Sequence, residues 1–179
     1  MPTLKRTAAA AVITTIAVAG TALVTVPSAS AASGYKCTTS KKSIDDPSRT
    51  DPFPDNWDFT AKVCARRSGQ TISTYAKISW DGPNRSTTYD PAIFDGAYFQ
   101  LQGKKSTAGR DPILKKANYN IESRLEHSRW GTYNSSFTTS VLRYKVGRAK
   151  GRGDGSLRLN WNHDGDGYKA YNPLASPVV

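Results

Sequence analysis

Histidine is almost absent: His127 and His163 are the only two in 179 residues. That excludes a multi-histidine metal centre and leaves little room for histidine-based acid–base catalysis. No HExxH, no GxSxG and no phosphate-cradling glycine loop stands in their place. Cysteine is as scarce, with Cys37 and Cys64 alone. Two such residues in an oxidising compartment read as one disulfide, and an exported free catalytic thiol would oxidise. Closing that loop stabilises by about 3–4 kcal/mol in the chain-entropy model and ties the N-terminal segment to the body of the domain. Acids are outnumbered, 14 against 25 Lys and Arg, for a formal charge of +11. Beyond Val26 no apolar segment could span a bilayer.

The one long apolar run lies at the start. Lys5 and Arg6 precede an uncharged stretch from Ala8 to Val26, and Ala29-Ser30-Ala31 is a small-x-small cleavage site. Thr14, Thr15, Thr21 and Thr25 dilute the run and Pro27 breaks it, so it predicts an export signal over residues 1–31 rather than a transmembrane anchor. Removing 31 residues leaves 148, the size of one secreted domain over residues 32–179. The signal carries two bases and no acid, so 23 bases face 14 acids in the mature chain, a charge of +9. Such a charge attracts polyanions over about 8–10 Å at moderate salt. For an exported protein these are cell-wall teichoic or teichuronic polymers, acidic polysaccharides, anionic lipid and extracellular nucleic acid. A purely solubilising charge explains the same count.

What fills the domain is strand-like. Tyr35 to Thr39 suits a short strand, and Ser43 to Asn56, with Pro47, Pro52 and Pro54 among four aspartates, predicts a loop. Phe59, Ala61, Val63 and Ala65 alternate with Thr60, Lys62, Cys64 and Arg66. After a turn at Ser68-Gly69, Ile72 to Trp80 alternates again, which predicts a hairpin with Cys64 on its polar face. Thr87 to Tyr89, Ala97 to Gln102, Phe137 to Val146 and Leu157 to Trp161 read as further strands. Arg148 to Gly155 reads as a basic glycine-rich loop. Asp111-Pro112 is a good helix start, with Ile113, Ala117, Ile121 and Leu125 on one face and Gly131 as a stop. Asn118, Tyr119 and Asn120 are poor helix formers, which leaves a short strand followed by one helical turn as the alternative. The expected fold is mainly β: an antiparallel β-sandwich-like domain with one short helix and a single disulfide.

Candidate sites follow from spacing. Arg143, Lys145, Arg148, Lys150, Arg152 and Arg158 concentrate six positive charges on a strand–loop–strand unit, opposed only by Asp154. They are the candidate polyanion contact, while a charged edge that discourages strand pairing is the plainer explanation. Within them, Arg152-Gly153-Asp154 spells an integrin-binding tripeptide, which means nothing without a host receptor. Asn160, Asn162, Asp164 and Asp166 place oxygen donors at alternate positions around Gly165, a partial calcium-loop pattern. The bidentate acid required at the twelfth position falls on Tyr171, so calcium is at most weakly held and no cofactor is expected. Glu122 and Glu126 lie one helical turn apart, but a surface pair between Glu126 and Arg129 accounts for them. Most aromatics should be core, with Trp57 and Trp130 the two expected to be partly exposed.

The Ala29-Ser30-Ala31 site, followed by Ile78-Ser-Trp-Asp-Gly82, Ile93-Phe-Asp-Gly96 and Leu159-Asn-Trp-Asn162, resembles small secreted actinobacterial proteins of unassigned function. The resemblance spans most of the mature chain and brings no catalytic residues with it. The sequence therefore reads as a secreted, non-enzymatic binding or envelope-associated protein whose basic surface contacts anionic polymers or polysaccharide. The alternative is a secreted hydrolase, polysaccharide-active or a nuclease, with a site dispersed in sequence.

Overall fold

Period-two alternation becomes strand almost everywhere in the computed structural model, which describes residues 34–47, 56–83, 93–127, 134–162 and 164–179. In chain order the elements are β1 (Lys36–Ile44), β2 (Trp57–Ser68), β3 (Thr71–Asp81), β4 (Phe94–Lys105), β5 (Ile113–Asn120), α1 (Glu122–Glu126), β6 (Ser135–Thr138), β7 (Leu142–Lys145), β8 (Gly151–Trp161) and β9 (Lys169–Tyr171). All strand pairs are antiparallel, in two sheets. The first runs β1-β2-β3 and then β6 and β7, which share the far edge of β3; the second runs β5-β4-β8-β9. β2 and β3 form the expected hairpin, turned by Gly69 at φ +57°. The expected strand Thr87 to Tyr89 lies outside the described residues, as does Trp130.

The inner faces of the two sheets share one core. Val63, Ala76, Ile78 and Trp80 from the first sheet meet Phe99, Leu101, Leu159 and Trp161 from the second. At one end Trp57, Phe94 and Trp161 form an aromatic cluster, with Trp57–Phe94 and Phe94–Trp161 centroids 5.3 and 4.6 Å apart. Trp57 is fully buried in it, so the expectation that it is partly exposed fails. A large ring opening a strand fills the end of the sandwich, whatever loop precedes it. Cys37 and Cys64 are bonded and stand directly opposite each other in the β1–β2 register, on the outer face.

Two stretches depart from the sequence expectations. From Asp111 the helix gives way to the alternative reading, the strand β5 followed by the single turn α1 after Ile121. Pairing along the whole of β4 outweighs a helix that would have had to carry Asn118, Tyr119 and Asn120. The glycine-rich loop is confined to residues 146–150, and Gly151, Gly153 and Gly155 open the central strand β8. These glycines alternate with Arg152, Asp154 and Ser156, so all three face inward, towards the other sheet. A Cβ on Gly151 would lie 2.6 Å from Ile72 Cδ1, one on Gly153 2.9 Å from Thr74 Cβ, and one on Gly155 2.9 Å from Phe99 Cε1. β8 thus approaches the first sheet where nothing larger fits. Thr74 is pinned there by donating its hydroxyl to Cys64 O at 2.8 Å.

The open edge of β8 is covered by chain that follows it. β9 pairs with Leu157 to Leu159, and further on Ser176 N and Val179 N donate to Gly153 O and Gly151 O, each at 2.9 Å. Leu174 N donates to Ser40 Oγ at 2.8 Å and bridges to β1. On the opposite side the Tyr119 hydroxyl reaches Ser140, joining β5 to the link between β6 and β7. The strands that end each sheet expose lysines: Lys36, Lys41 and Lys42 on β1, and Lys115 and Lys116 on β5.

Two predictions follow from the contact between β8 and the first sheet. Gly153→Ala should cost about 1–3 kcal/mol in urea unfolding, and Thr74→Ala in the same chain should recover part of that loss, giving a non-additive pair. Tyr144, 5% exposed, donates its hydroxyl to Arg152 O at 2.7 Å, and burial pushes its phenol from 10 up to about 12. An acid whose folded pKa is raised adds stability that is complete below pH 10 and lost as pH rises from 10 through 12, in all about 2–3 kcal/mol. Tyr144→Phe should therefore be about 1 kcal/mol less stable at neutral pH, yet its stability should fall less steeply between pH 10 and 12.

Candidate functional site

Antiparallel register decides which charges meet on the outside of the first sheet. Thr60, Lys62, Cys64 and Arg66 of β2 point outward, as do Ser73, Tyr75, Lys77 and Ser79 of β3, because their neighbours fill the core. Lys62 stands directly opposite Lys77. Two residues along the strands Cys64 faces Tyr75, and two further on Arg66 faces Ser73, which in turn faces Arg143 of β7. Lys145 lies beyond, opposite Thr71. Steps of two residues are about 7 Å and strands are about 4.8 Å apart, so Lys62, Lys77, Arg66, Arg143 and Lys145 surround Tyr75 within a patch about 20 Å long. Tyr35 packs edge-on against Tyr75 at 4.9 Å, and the Arg66 guanidinium lies 4.7 Å over the Tyr35 ring.

Among the described residues no carboxylate pairs with any of these five bases. The acids on this face, Asp58 and Asp81, oppose each other four residues from the lysine pair, about 14 Å away along the strands. Like charges directly opposite across a sheet are destabilising. The patch is therefore cationic, with its charges unmatched by acids and an aromatic pair among them.

The six bases singled out by sequence are divided by the fold. Arg143 and Lys145 belong to this patch. Arg148 and Lys150 are exposed in the loop at the end of the sandwich, which Arg67 clamps by donating to Gly147 O and Ala149 O at 2.6 and 2.7 Å. Arg152 and Arg158 point from β8 to the outer face of the second sheet. There Arg152 pairs with Asp111 at 2.7 Å, and Lys104 pairs with Asp154 at 2.5 Å. The Arg152-Gly153-Asp154 tripeptide thus lies within a strand, with both charges already paired. Around it the second sheet carries an amide chain, Gln102 Nε2 to Gln100 Oε1 and Gln100 Nε2 to Asn118 Oδ1.

Lys62, Arg66, Lys77, Tyr35 and Tyr75 were not singled out from sequence. Alternation puts the β2 and β3 members on the polar face, and counting back from the turn at Gly69 sets Lys62 against Lys77. No run of basic residues announces them, because the patch is assembled across strands. Glu126, weighed as half of a carboxylate pair, is buried and accepts the Phe94 N–H at 3.1 Å, and Arg129, its expected partner, lies outside the described residues.

The Asn160 to Asp166 segment leaves β8 at Trp161 and turns at Gly165, φ +70°. Its two carboxylates converge on a side chain. Lys169 Nζ lies 3.3 Å from Asp164 Oδ2 and 2.9 Å from Asp166 Oδ2. Its pKa is raised, chiefly by the hydrogen bond to Asp166. An ammonium thus sits where a divalent cation would have to go.

No family model, curated protein or solved structure matches this chain.

For the Asn160 to Asp166 loop, calorimetry with calcium should give millimolar affinity at best, because Lys169 holds both acids. Lys169→Met should tighten that binding by about tenfold, by releasing two carboxylates and removing a competing charge.

Proposed function

We propose that this protein is a non-enzymatic binding factor, exported and envelope-associated, that holds a linear anionic polymer on the outer face of its first sheet. The observation that carries this reading is the opposed pair Lys62–Lys77, flanked by Arg66, Arg143 and Lys145 with no acid among them. A folded domain gains nothing from such a pair. A phosphate, sulfate or carboxylate laid between the lysines converts repulsion into two charge-assisted contacts. The cation rows lie about 14 and then about 7 Å apart along the strands, a spacing an extended polymer can span, and the Tyr35–Tyr75 pair between them adds an apolar surface for its uncharged units. The leader-like N-terminus and the disulfide support a site of action outside the exporting cell. Nothing on this face reads sequence or stereochemistry, so discrimination among polyanions is poor and affinity falls steeply with salt.

Two triple variants test the reading on a heparin column and on a wall-polymer column. Lys62→Ser, Lys77→Ser and Arg143→Ser together should elute at much lower salt than the wild type. They should also reduce the slope of log affinity against log salt by about 2, the loss expected for three contacts to a flexible strand. Arg148→Ser, Lys150→Ser and Arg152→Ser together should elute near the wild type. All of these side chains but Arg152 are exposed, so stability should change by about 0.5 kcal/mol or less per exposed site. If the first variant elutes with the wild type, the face is only solubilising; if the second is the one that weakens, the contact lies at the loop.

A further inference from the structure

The sandwich is not closed on the side where β1 of the first sheet faces β9 of the second. The two strands make no ladder, and the bond from Leu174 N to Ser40 Oγ bridges only one end of the gap. Between them lies a cleft of about 450 Å³, within the range of small-molecule sites. Its walls are core residues, Phe59 and Ala61 from β2 and Leu157 from β8, together with the half-buried Tyr171 of β9. Lys41 and Lys42 of β1 also border it, both exposed; Lys42, opposite Phe59, lies on the cleft side of the strand, and Lys41, opposite Thr60, on the outer side. No carboxylate lines it, and among the described residues neither lysine is ion-paired.

We infer that this cleft binds a long-chain alkyl carboxylate, chain inward and headgroup at the lysines. Charge complementarity selects the headgroup. The Lys42 ammonium, with Lys41 adjacent on the strand and no carboxylate in the lining, attracts an anion. Beside Ser40 and Asn172 most of the lining is apolar and offers little to a polyhydroxylated or multiply charged ligand. The walls select the chain, because water in a cleft lined by Phe59, Ala61 and Leu157 has few polar partners and an alkyl chain displaces it favourably. Ala61 makes the space. It stands opposite Ser40 on β1 and Ile78 on β3, and a larger residue at this register would close the gap between the sheets. This inference does not depend on the polymer-binding face, with which it shares no residue.

Titration calorimetry of the full chain with octanoate, decanoate and 1-octanol, each below its aggregation concentration, tests it. Each added methylene should raise affinity about fourfold, so decanoate should bind about fifteenfold more tightly than octanoate. Lys41→Ser with Lys42→Ser should weaken octanoate by about tenfold and leave octanol unchanged. Ala61→Leu should abolish binding of both chains and leave heparin elution where it was. Equal affinity for octanoate and decanoate, or undiminished binding by a folded Ala61→Leu variant, would overturn the proposal. Should Ala61→Leu fail to fold, the chain-length series and the exposed lysine pair still decide.

Discussion

Everything in this molecule rests on how closely β8 approaches the first sheet. Three inward glycines let its backbone settle against Ile72 and Thr74, and Phe99 of its own sheet folds across the space that side chains would have taken. That approach brings Tyr144 within reach of Arg152 O and lets the segment after β9 lie along the strand's remaining edge. Interiors are packed as densely as organic crystals, so a strand seated this tightly can move only with the sheet it touches. The outer faces are consequently rigid, and the side chains on them keep the spacing that the register gives them.

Rigidity matters because the two faces handle charge differently. On the second sheet two bases of the outer face are matched, Arg152 with Asp111 and Lys104 with Asp154, beside side-chain amides that satisfy one another. On the first sheet Lys62 and Lys77 face only each other. Equal formal charge therefore has unequal consequences. A matched base is already solvated by its partner and has little to gain from a ligand, whereas an opposed pair relieves repulsion by taking up an anion. The cation in the Asp164–Asp166 turn is a third case, in which a lysine of the chain itself occupies the anionic site.

The strands and the disulfide were legible because period-two alternation and paired cysteines are local signals. Phe59 to Arg66 and Ile72 to Trp80 could be assigned a face residue by residue. The misread stretches are those where tertiary contacts override local composition. Gly151, Gly153 and Gly155 look like a loop because their role is to leave room for Thr74 and Phe99, and neither neighbour is near in sequence. Asp111-Pro112 looks like a helix start because the demand of β4 for a partner strand is invisible at that position. The candidate site suffered in the same way. A linear scan finds charges that are consecutive, and it put Arg143 and Arg158 together although the sandwich turns them to opposite sides. It passed over Lys62 and Lys77, which are fifteen residues apart in number and adjacent in space.

The lysines on β1 and β5 acquire a meaning from where those strands lie. Each ends a sheet, and an end strand offers unpaired peptide groups to any other extended chain, including a copy of itself. On β5 that hazard is sharpened by exposed Ile113 and Leu114, and Lys115 and Lys116 follow immediately. A second molecule approaching either edge in register would have to bring its own lysines alongside these. The fold thus guards against cross-β growth by electrostatic exclusion at its borders, and the guard weakens when salt is high or when a polyanion is present in bulk.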